Sequence, residues 1–501
     1  DIAGITCTWA DILLVSNAED GILTGNVDNV ISAFKEVYGD NIRKQPTYAV
    51  FLLAKEINEM ENQTQENISQ LIQAAATPPT NMTPKDIGRA LAFSSLDIDL
   101  IKKAVEDAFT AAGDEETRRA ILDNALKGMF DRAILPNQYV NKEHIEDKIT
   151  NANNAEISPQ DIGRALGMSN IKFTDIINAV NAVDNADLGD GGAAKKAEII
   201  QSALVTRFNA IPGGVESEAK TQLNNLLKEA SEAGISTQDI GRALGISIIA
   251  FTSIRAAMDT EPDEDDSVQL DKATKAGIIQ SALVEKFNEN PGNNDEIFDL
   301  IYEANKLVDF LELEHIGRAL GMSKITVEKI KTVVSELIKD ETPDSKRDIN
   351  DIMKFALVET FNKNDTQTTK IIKVAYKDSL PKKSAKLIGR ALGMSSLDAG
   401  KINTAITGSI KSVEHILTRI YALVEKLKQS GDKNAVLDDF TTNAKYKKEA
   451  IKIAVQEEIL GLGAKASAEG INAIITKYQG IQVGEMKYDN TQIIAAYLQQ
   501  K

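Results

Sequence analysis

The stretch DIGRALGMS at residues 161–169 recurs as DIGRALAFS at 86–94, DIGRALGIS at 239–247, HIGRALGMS at 315–323 and LIGRALGMS at 387–395. Its arginines, Arg89, Arg164, Arg242, Arg318 and Arg390, follow one another at intervals of 75, 78, 76 and 72 residues. A second phrase keeps the same step: AILDNALKGMF at 120–130, IIQSALVTRFN at 199–209, IIQSALVEKFN at 278–288 and IMKFALVETFN at 352–362. Two phrases in register define a tandem array whose unit is a whole supersecondary module of about 75 residues. The expected units are 81–157, 158–235, 236–311, 312–383 and 384–456. Degenerate flanks are expected at 1–80, where Thr8-Trp9-Ala10-Asp11-Ile12 resembles Thr83 to Ile87, and at 457–501, where Gly461 falls 72 residues after Gly389. Terminal units diverge because their outer face has no neighbour to bury against.

The units read as helical. In Ile199-Ile200-x-x-Ala203-Leu204-x-x-x-Phe208 the apolar residues mark one face of a helix. Loops such as Ile211-Pro212-Gly213-Gly214 and Asn290-Pro291-Gly292-Asn293 separate such segments, and proline is scarce, 11 of 501 residues. The fold class is therefore all-α: an elongated tandem array of three- or four-helix modules.

The recurring phrase opens on capping residues, Thr83-Pro84-Lys85-Asp86, Ser158-Pro159-Gln160-Asp161 and Ser236-Thr237-Gln238-Asp239. The hydroxyl can accept from the N3 amide, the N3 acid can reach back, and Pro fits N1. Gly167, Gly245, Gly321 and Gly393 stand where a left-handed residue would stop the helix, and Ser169, Ser247, Ser323 and Ser395 where the next helix would be capped. Ala92-Phe93 departs from that pattern. Inside the phrase, Gly88, Gly163, Gly241, Gly317 and Gly389 each cost a helix about 1 kcal/mol against Ala, which points to close approach of another helix backbone. The arginine beside each is expected to pair with a carboxylate of its own or the next unit. These ten Gly and Arg residues are the candidate interface of the repeat.

Composition removes several functions. With 57 Lys+Arg against 74 Asp+Glu the net charge is −17, which disfavours broad coating of nucleic acid or anionic membrane. One cysteine, Cys7, closes no intrachain disulfide, and His144, His315 and His415 form no HExxH or paired-histidine motif. The acidic run at 261–266 and the Asp184–Gly192 loop lack EF-hand spacing, and residues 461–467 lack the spacing of a phosphate-binding loop. No metal, cofactor or catalytic set is expected. No apolar stretch reaches transmembrane length. The start at Asp1, without a signal-peptide pattern, reads as a cleaved chain or fragment and fits a processed component of a virion, cell-surface or filament assembly.

Residues 316–330, IGRALGMSKITVEKI, resemble the helix-turn-helix of DNA-binding regulators: a short helix, Gly at the turn, Ser, then a second helix with Ile at core spacing. That resemblance implies major-groove reading by the helix after Ser323. Charge opposes it, since residues 323–334 sum to only +2 and residues 94–105, 169–180 and 395–406 each sum to zero. The same cadence resembles the second and third helices of death-fold interaction modules, which implies assembly with like domains. The expected function is a non-enzymatic scaffold acting through self-association or neighbouring structural proteins. A multi-module DNA binder and an enzyme of unknown class are the alternatives.

Overall fold

The computed structural model describes residues 46–489 and residue 493, apart from residues 79, 111–112, 135–139, 213–216, 260–269, 308, 341–349, 377–380, 410–412, 441 and 463–466. The sequence match at 8–12, Cys7 and the acidic run at 261–266 lie outside the described residues.

The protein is all-α, with 24 α-helices among the described residues. They fall into two compact units that part at the end of the twelfth helix. The first holds α1 (Pro46–Glu59), α2 (Gln65–Ala76), α3 (Pro84–Phe93), α4 (Ile98–Ala108), α5 (Glu115–Asp131), α6 (Lys142–Asn154), α7 (Pro159–Met168), α8 (Phe173–Ala182), α9 (Gly192–Ala210), α10 (Ser217–Glu232), α11 (Thr237–Ile246) and α12 (Phe251–Met258). The second holds α13 (Lys272–Glu289), α14 (Asn294–Asn305), α15 (Leu313–Met322), α16 (Val327–Asp340), α17 (Asn350–Lys363), α18 (Thr368–Tyr376), α19 (Pro381–Met394), α20 (Ala399–Ser409), α21 (Val413–Gln429), α22 (Lys433–Asp439), α23 (Ala444–Gly461) and α24 (Ala468–Tyr478). A two-residue hairpin, Gln482–Val483 paired antiparallel with Met486–Lys487, follows α24.

Within each compact unit the odd-numbered helices pack in succession, α1 to α11 and α13 to α23, and the even-numbered helices from α2 to α10 and from α14 to α22 form a second succession beside them. In the odd layer the short helices carrying the first phrase, α3, α7, α11 and α15 with ten residues each and α19 with fourteen, stand in chain order between helices of 14–19 residues, of which α5, α9, α13 and α17 carry the second. The core lies between the layers. Ile87 and Leu91, Ile162 and Leu166, Ile240 and Leu244, Ile316 and Leu320, and Ile388 and Leu392 are all buried on the short helices. The long helices bury Phe130, Phe208, Phe287 and Phe361 at equivalent positions. Truncating one such Phe to Ala costs roughly 3–5 kcal/mol.

Local chemistry sets where the short helices start. Thr83 Oγ1 accepts from the Asp86 amide at 3.2 Å and donates to the Asp86 carboxylate at 2.7 Å. Ser158 with Asp161 and Ser236 with Asp239 repeat this at 3.1 and 2.6 Å. In the fourth copy His315 takes the place of Asp, and its Nδ1 accepts from the Glu312 amide at 3.2 Å. The fifth copy, with Leu387 there, starts its helix earlier, at Pro381, so the boundary expected at 383 falls inside α19. The boundary expected at 456 falls inside α23, because Gly461 matches Gly389 by spacing alone: a Cβ on Gly461 would meet nothing within 4 Å.

The reading of Gly167, Gly245, Gly321 and Gly393 as left-handed helix stops is corrected: all four lie inside their helices, and none has positive φ. The left-handed residues stand one helix earlier, two positions before each cap: Asn81 (φ 44°), Glu156 (φ 55°) and Gly234 (φ 80°). There Ile157 donates to Ala152 O at 3.0 Å and Ile235 to Ala230 O at 3.1 Å, the six-to-one bond of a Schellman ending.

Candidate functional site

The recurring site is the seam around each short helix, which packs on the long helix before it and, for α3, α7, α15 and α19, on the long helix of its own unit. The side facing its own long helix is built from glycine. A Cβ on Gly88 would stand 2.8 Å from Asn124 Cβ, one on Gly163 2.7 Å from Ser202 Cβ, and ones on Gly317 and Gly389 2.8 Å from Phe355 Cβ and Tyr421 Cβ. In each case the nearest atom is a backbone carbonyl: Ile121, Ile199, Ile352 or Thr418. One turn on, a Cβ on Gly167 would stand 2.6 Å from Ala203 O, and ones on Gly321 and Gly393 would overlap Ala356 O and Ala422 O. These are contacts between helix backbones, and this close approach is what the second glycine serves. The first copy solves the same contact in reverse. Ala92 replaces the second glycine, and the facing position of α5 is Gly128, where a Cβ would overlap Ala92 Cβ.

Gly241 and Gly245 lie on α11, in the first compact unit, and are buried there.

The serine after each short helix does not cap the next one, as its position had predicted. It closes its own helix. Ser94, Ser169, Ser247, Ser323 and Ser395 are buried, and each hydroxyl donates to the carbonyl three residues back at 2.6–2.7 Å. Each also accepts from the amide two residues on, at 3.2–3.4 Å. Both capacities of the hydroxyl are thus used, which is what lets it be buried. The helices that follow find other caps, as Asp97 does for α4, accepting from Leu100 N at 2.8 Å.

Two further contacts complete the turn, and sequence reading missed both. The amide just past each serine has no intrahelical partner, and a side chain from the preceding long helix supplies one. Asn58 accepts from Ser95 at 2.7 Å, Asp131 from Asn170 at 2.8 Å, Asn209 from Ile248 at 2.8 Å, Asn288 from Lys324 at 2.8 Å and Asn362 from Ser396 at 2.7 Å. The signal was present at four of the five, where the latch residue follows the phenylalanine of the second phrase: Phe130-Asp131, Phe208-Asn209, Phe287-Asn288 and Phe361-Asn362. The same latch at Asn58 gives α1 the relation to α3 that α5 has to α7. The second contact is a cation from the unit's own long helix on the serine carbonyl: Arg207 to Ser169 O at 2.7 Å, Lys426 to Ser395 O at 2.7 Å, Lys363 to Ser323 O at 3.1 Å and Arg132 to Ser94 O at 3.4 Å. A cation there meets both free carbonyls and the negative end of the short helix. Burial lowers the pKa of Arg207 and Lys426 and takes Arg132 down to about 10.

The signature arginines reach either flanking helix. Arg164 lies 2.7 Å from Asp161 of its own helix and 2.9 Å from Asp123 on α5, a helix of the preceding unit, where the sequence pointed to its own or the next. Arg318 pairs with Glu314 at 2.8 Å and with Glu359 on α17. Arg390 pairs with Glu425 on α21 at 2.7 Å and with Glu457 on α23. Arg89 and Arg242 lie 3.7 and 3.5 Å from Asp86 and Asp239. The side of pairing follows where a carboxylate stands. The position of Asp123 is Gln201 on α9 and Gln280 on α13, and the position of Glu359 and Glu425 is Gly128 on α5 and Thr206 on α9. Burial pushes the Asp123 carboxyl above its ordinary range, and Arg164 draws it back only in part.

Each short helix, its turn and the next helix form a helix-turn-helix-like corner. The residue two after the serine is buried at Leu96, Ile171, Ile325 and Leu397, so the corner turns this position inward at the start of its second helix. Among the described residues no three His, Cys, Asp or Glu side chains converge as a metal site, and no helix is long and apolar enough to cross a membrane. No family model matches the chain, and no curated protein matches its sequence.

Proposed function

We propose that the chain is a non-enzymatic structural protein, an elongated stack of like units that works through protein–protein contacts inside a larger assembly. One observation carries this reading. The residues that recur most faithfully, the glycines, the arginines, the turn serine and the long-helix Asn, are spent on holding helices and units to one another. Chemistry repeated at every unit serves an architecture better than a single reaction, and it presents the same outer surface at each step, so that modest contacts multiply. The partners would be further copies of the chain or neighbouring structural proteins, in a virion, cell surface or filament.

Size-exclusion chromatography with light scattering, small-angle X-ray scattering and imaging of the protein in its native source test this together. An extended particle or self-association is expected. A compact monomer found free in its source would overturn the proposal. So would salt-sensitive retention on duplex DNA, the outcome that a groove-reading role demands.

A further inference from the structure

The five latches differ in kind from the glycine contacts, and this has a mechanical consequence that holds whatever partner the chain meets. We infer that each compact unit opens along the seams between its repeats, one repeat at a time, with the carboxamide or carboxylate at the end of each long helix holding the seam shut.

The seam of α17 with α19 is the clearest case. Asn362 Oδ1 accepts from the Ser396 amide at 2.7 Å and from the Ser396 hydroxyl at 3.0 Å, and Lys401 bridges to Asp365 at 2.7 Å beside it. Asn362, Asp365, Ser396 and Lys401 are all exposed, so water can replace the contacts when the seam parts. The neighbouring seam of α19 with α21 offers no such exchange. There Gly389 and Gly393 rest on the carbonyls of Thr418 and Ala422 across a full turn, with side chains packed on both flanks, and Arg390 ties the two helices through Glu425. Parting it would expose backbone and apolar surface that nothing replaces. The first opening therefore runs between repeats, where cooperative units of native-state fluctuation are expected to meet. Asp131 shows that the latch works through an acceptor oxygen rather than an amide group: its carboxylate accepts from the Asn170 amide at 2.8 Å, the distance at which Asn209 and Asn288 accept from Ile248 and Lys324.

Native-state hydrogen exchange, read by mass spectrometry on the whole chain, tests this with two variants. In the unaltered protein the Ser396 amide is expected to exchange slowly although it sits in an exposed turn. In Asn362→Ala its exchange should speed up by about tenfold, the worth of one net hydrogen bond, with the gain confined to the turn and the seam of α17 with α19. In Asn362→Asp the slow rate should return. Fast exchange of Ser396 in the unaltered protein would overturn the inference. Equal loss of protection between α19 and α21 in Asn362→Ala, or no rescue by Asp, would do the same.

Discussion

The two faces of one short helix are held by opposite means. Toward its own long helix, α19 presents Gly389 and Gly393 and brings backbone against backbone. Toward the preceding long helix it is held by a side chain, Asn362, that reaches past the helix end to a turn amide. The first kind of contact depends on what is missing, a Cβ. It tolerates no added atom, because the facing atom is a carbonyl that cannot move without bending its helix. The second depends on a group that is present and can be exchanged, as Asp131 and the four asparagines show. The outer seam therefore accepts a carboxamide or a carboxylate at its latch, while the inner seam needs a missing Cβ on one helix or the other.

The largest expected effect breaks the inner seam. Gly389→Ala should destabilise the fold by about 2–3 kcal/mol in chemical denaturation, since overpacking against backbone outweighs the gain of about 1 kcal/mol in helix propensity. A stabilised variant would show that the two helices can separate slightly at no cost. Next in size is the reversed contact of the first copy. Gly128→Ala should cost about 1–3 kcal/mol, and adding Ala92→Gly should recover most of it. A double-mutant cycle with no coupling would mean that Ala92 and Gly128 do not share one space.

A smaller effect of opposite sign lies at the ends of the even layer. Glu156 holds a left-handed conformation that Gly234 holds at the equivalent place. Glu156→Gly should stabilise by about 0.5–1 kcal/mol, the strain of a non-glycine residue there less the added freedom of the unfolded chain. A loss of stability would mean that the Glu156 side chain contributes more than its strain.

The smallest effects concern pH, and they sharpen the comparison at the seam of α5 with α7. Burial raises the folded pKa of Asp123, so the unfolded chain holds its proton less readily than the folded one does. Its contribution is therefore fully present below the ordinary carboxylate range and is lost as pH rises through the folded value. Asp123→Asn should flatten stability against pH there. His144 works the other way. Burial first, then Lys148, lowers its pKa, against a weaker pull from Met129 O. The unfolded state takes up that proton more readily, so stability should be full above the ordinary histidine value of about 6.5 and fall below it. NMR titration of the His144 ring gives the folded value directly, and a value at or above the ordinary one would sink this prediction.

Much of this was legible in the chain, and what was missed was missed for a consistent reason. Thr83, Ser158 and Ser236 announce helix starts because a cap acts within three residues of itself. The penalty of a mid-helix glycine, repeated five times, could be read as a demand for a close neighbour, but for Gly88, Gly163, Gly317 and Gly389 that neighbour lies 29–36 residues on and only the packed structure supplies it. The glycines before Met168, Met322 and Met394 look like helix stops in sequence because a stop and a close approach both ask for the smallest residue. Asn209 and Asn288 were in plain view at the end of a quoted phrase, yet their partners are turn amides 36–39 residues away, invisible to local spacing.

The sequence by itself determined an all-α chain, the period of its phrases and the starts of three short helices, since periodicity and capping are settled by neighbours a few residues apart. The tertiary structure decided the rest. It set which helix each glycine touches, on which side each arginine pairs, and why the serine is buried, because those depend on contacts between helices that lie tens of residues apart in the chain.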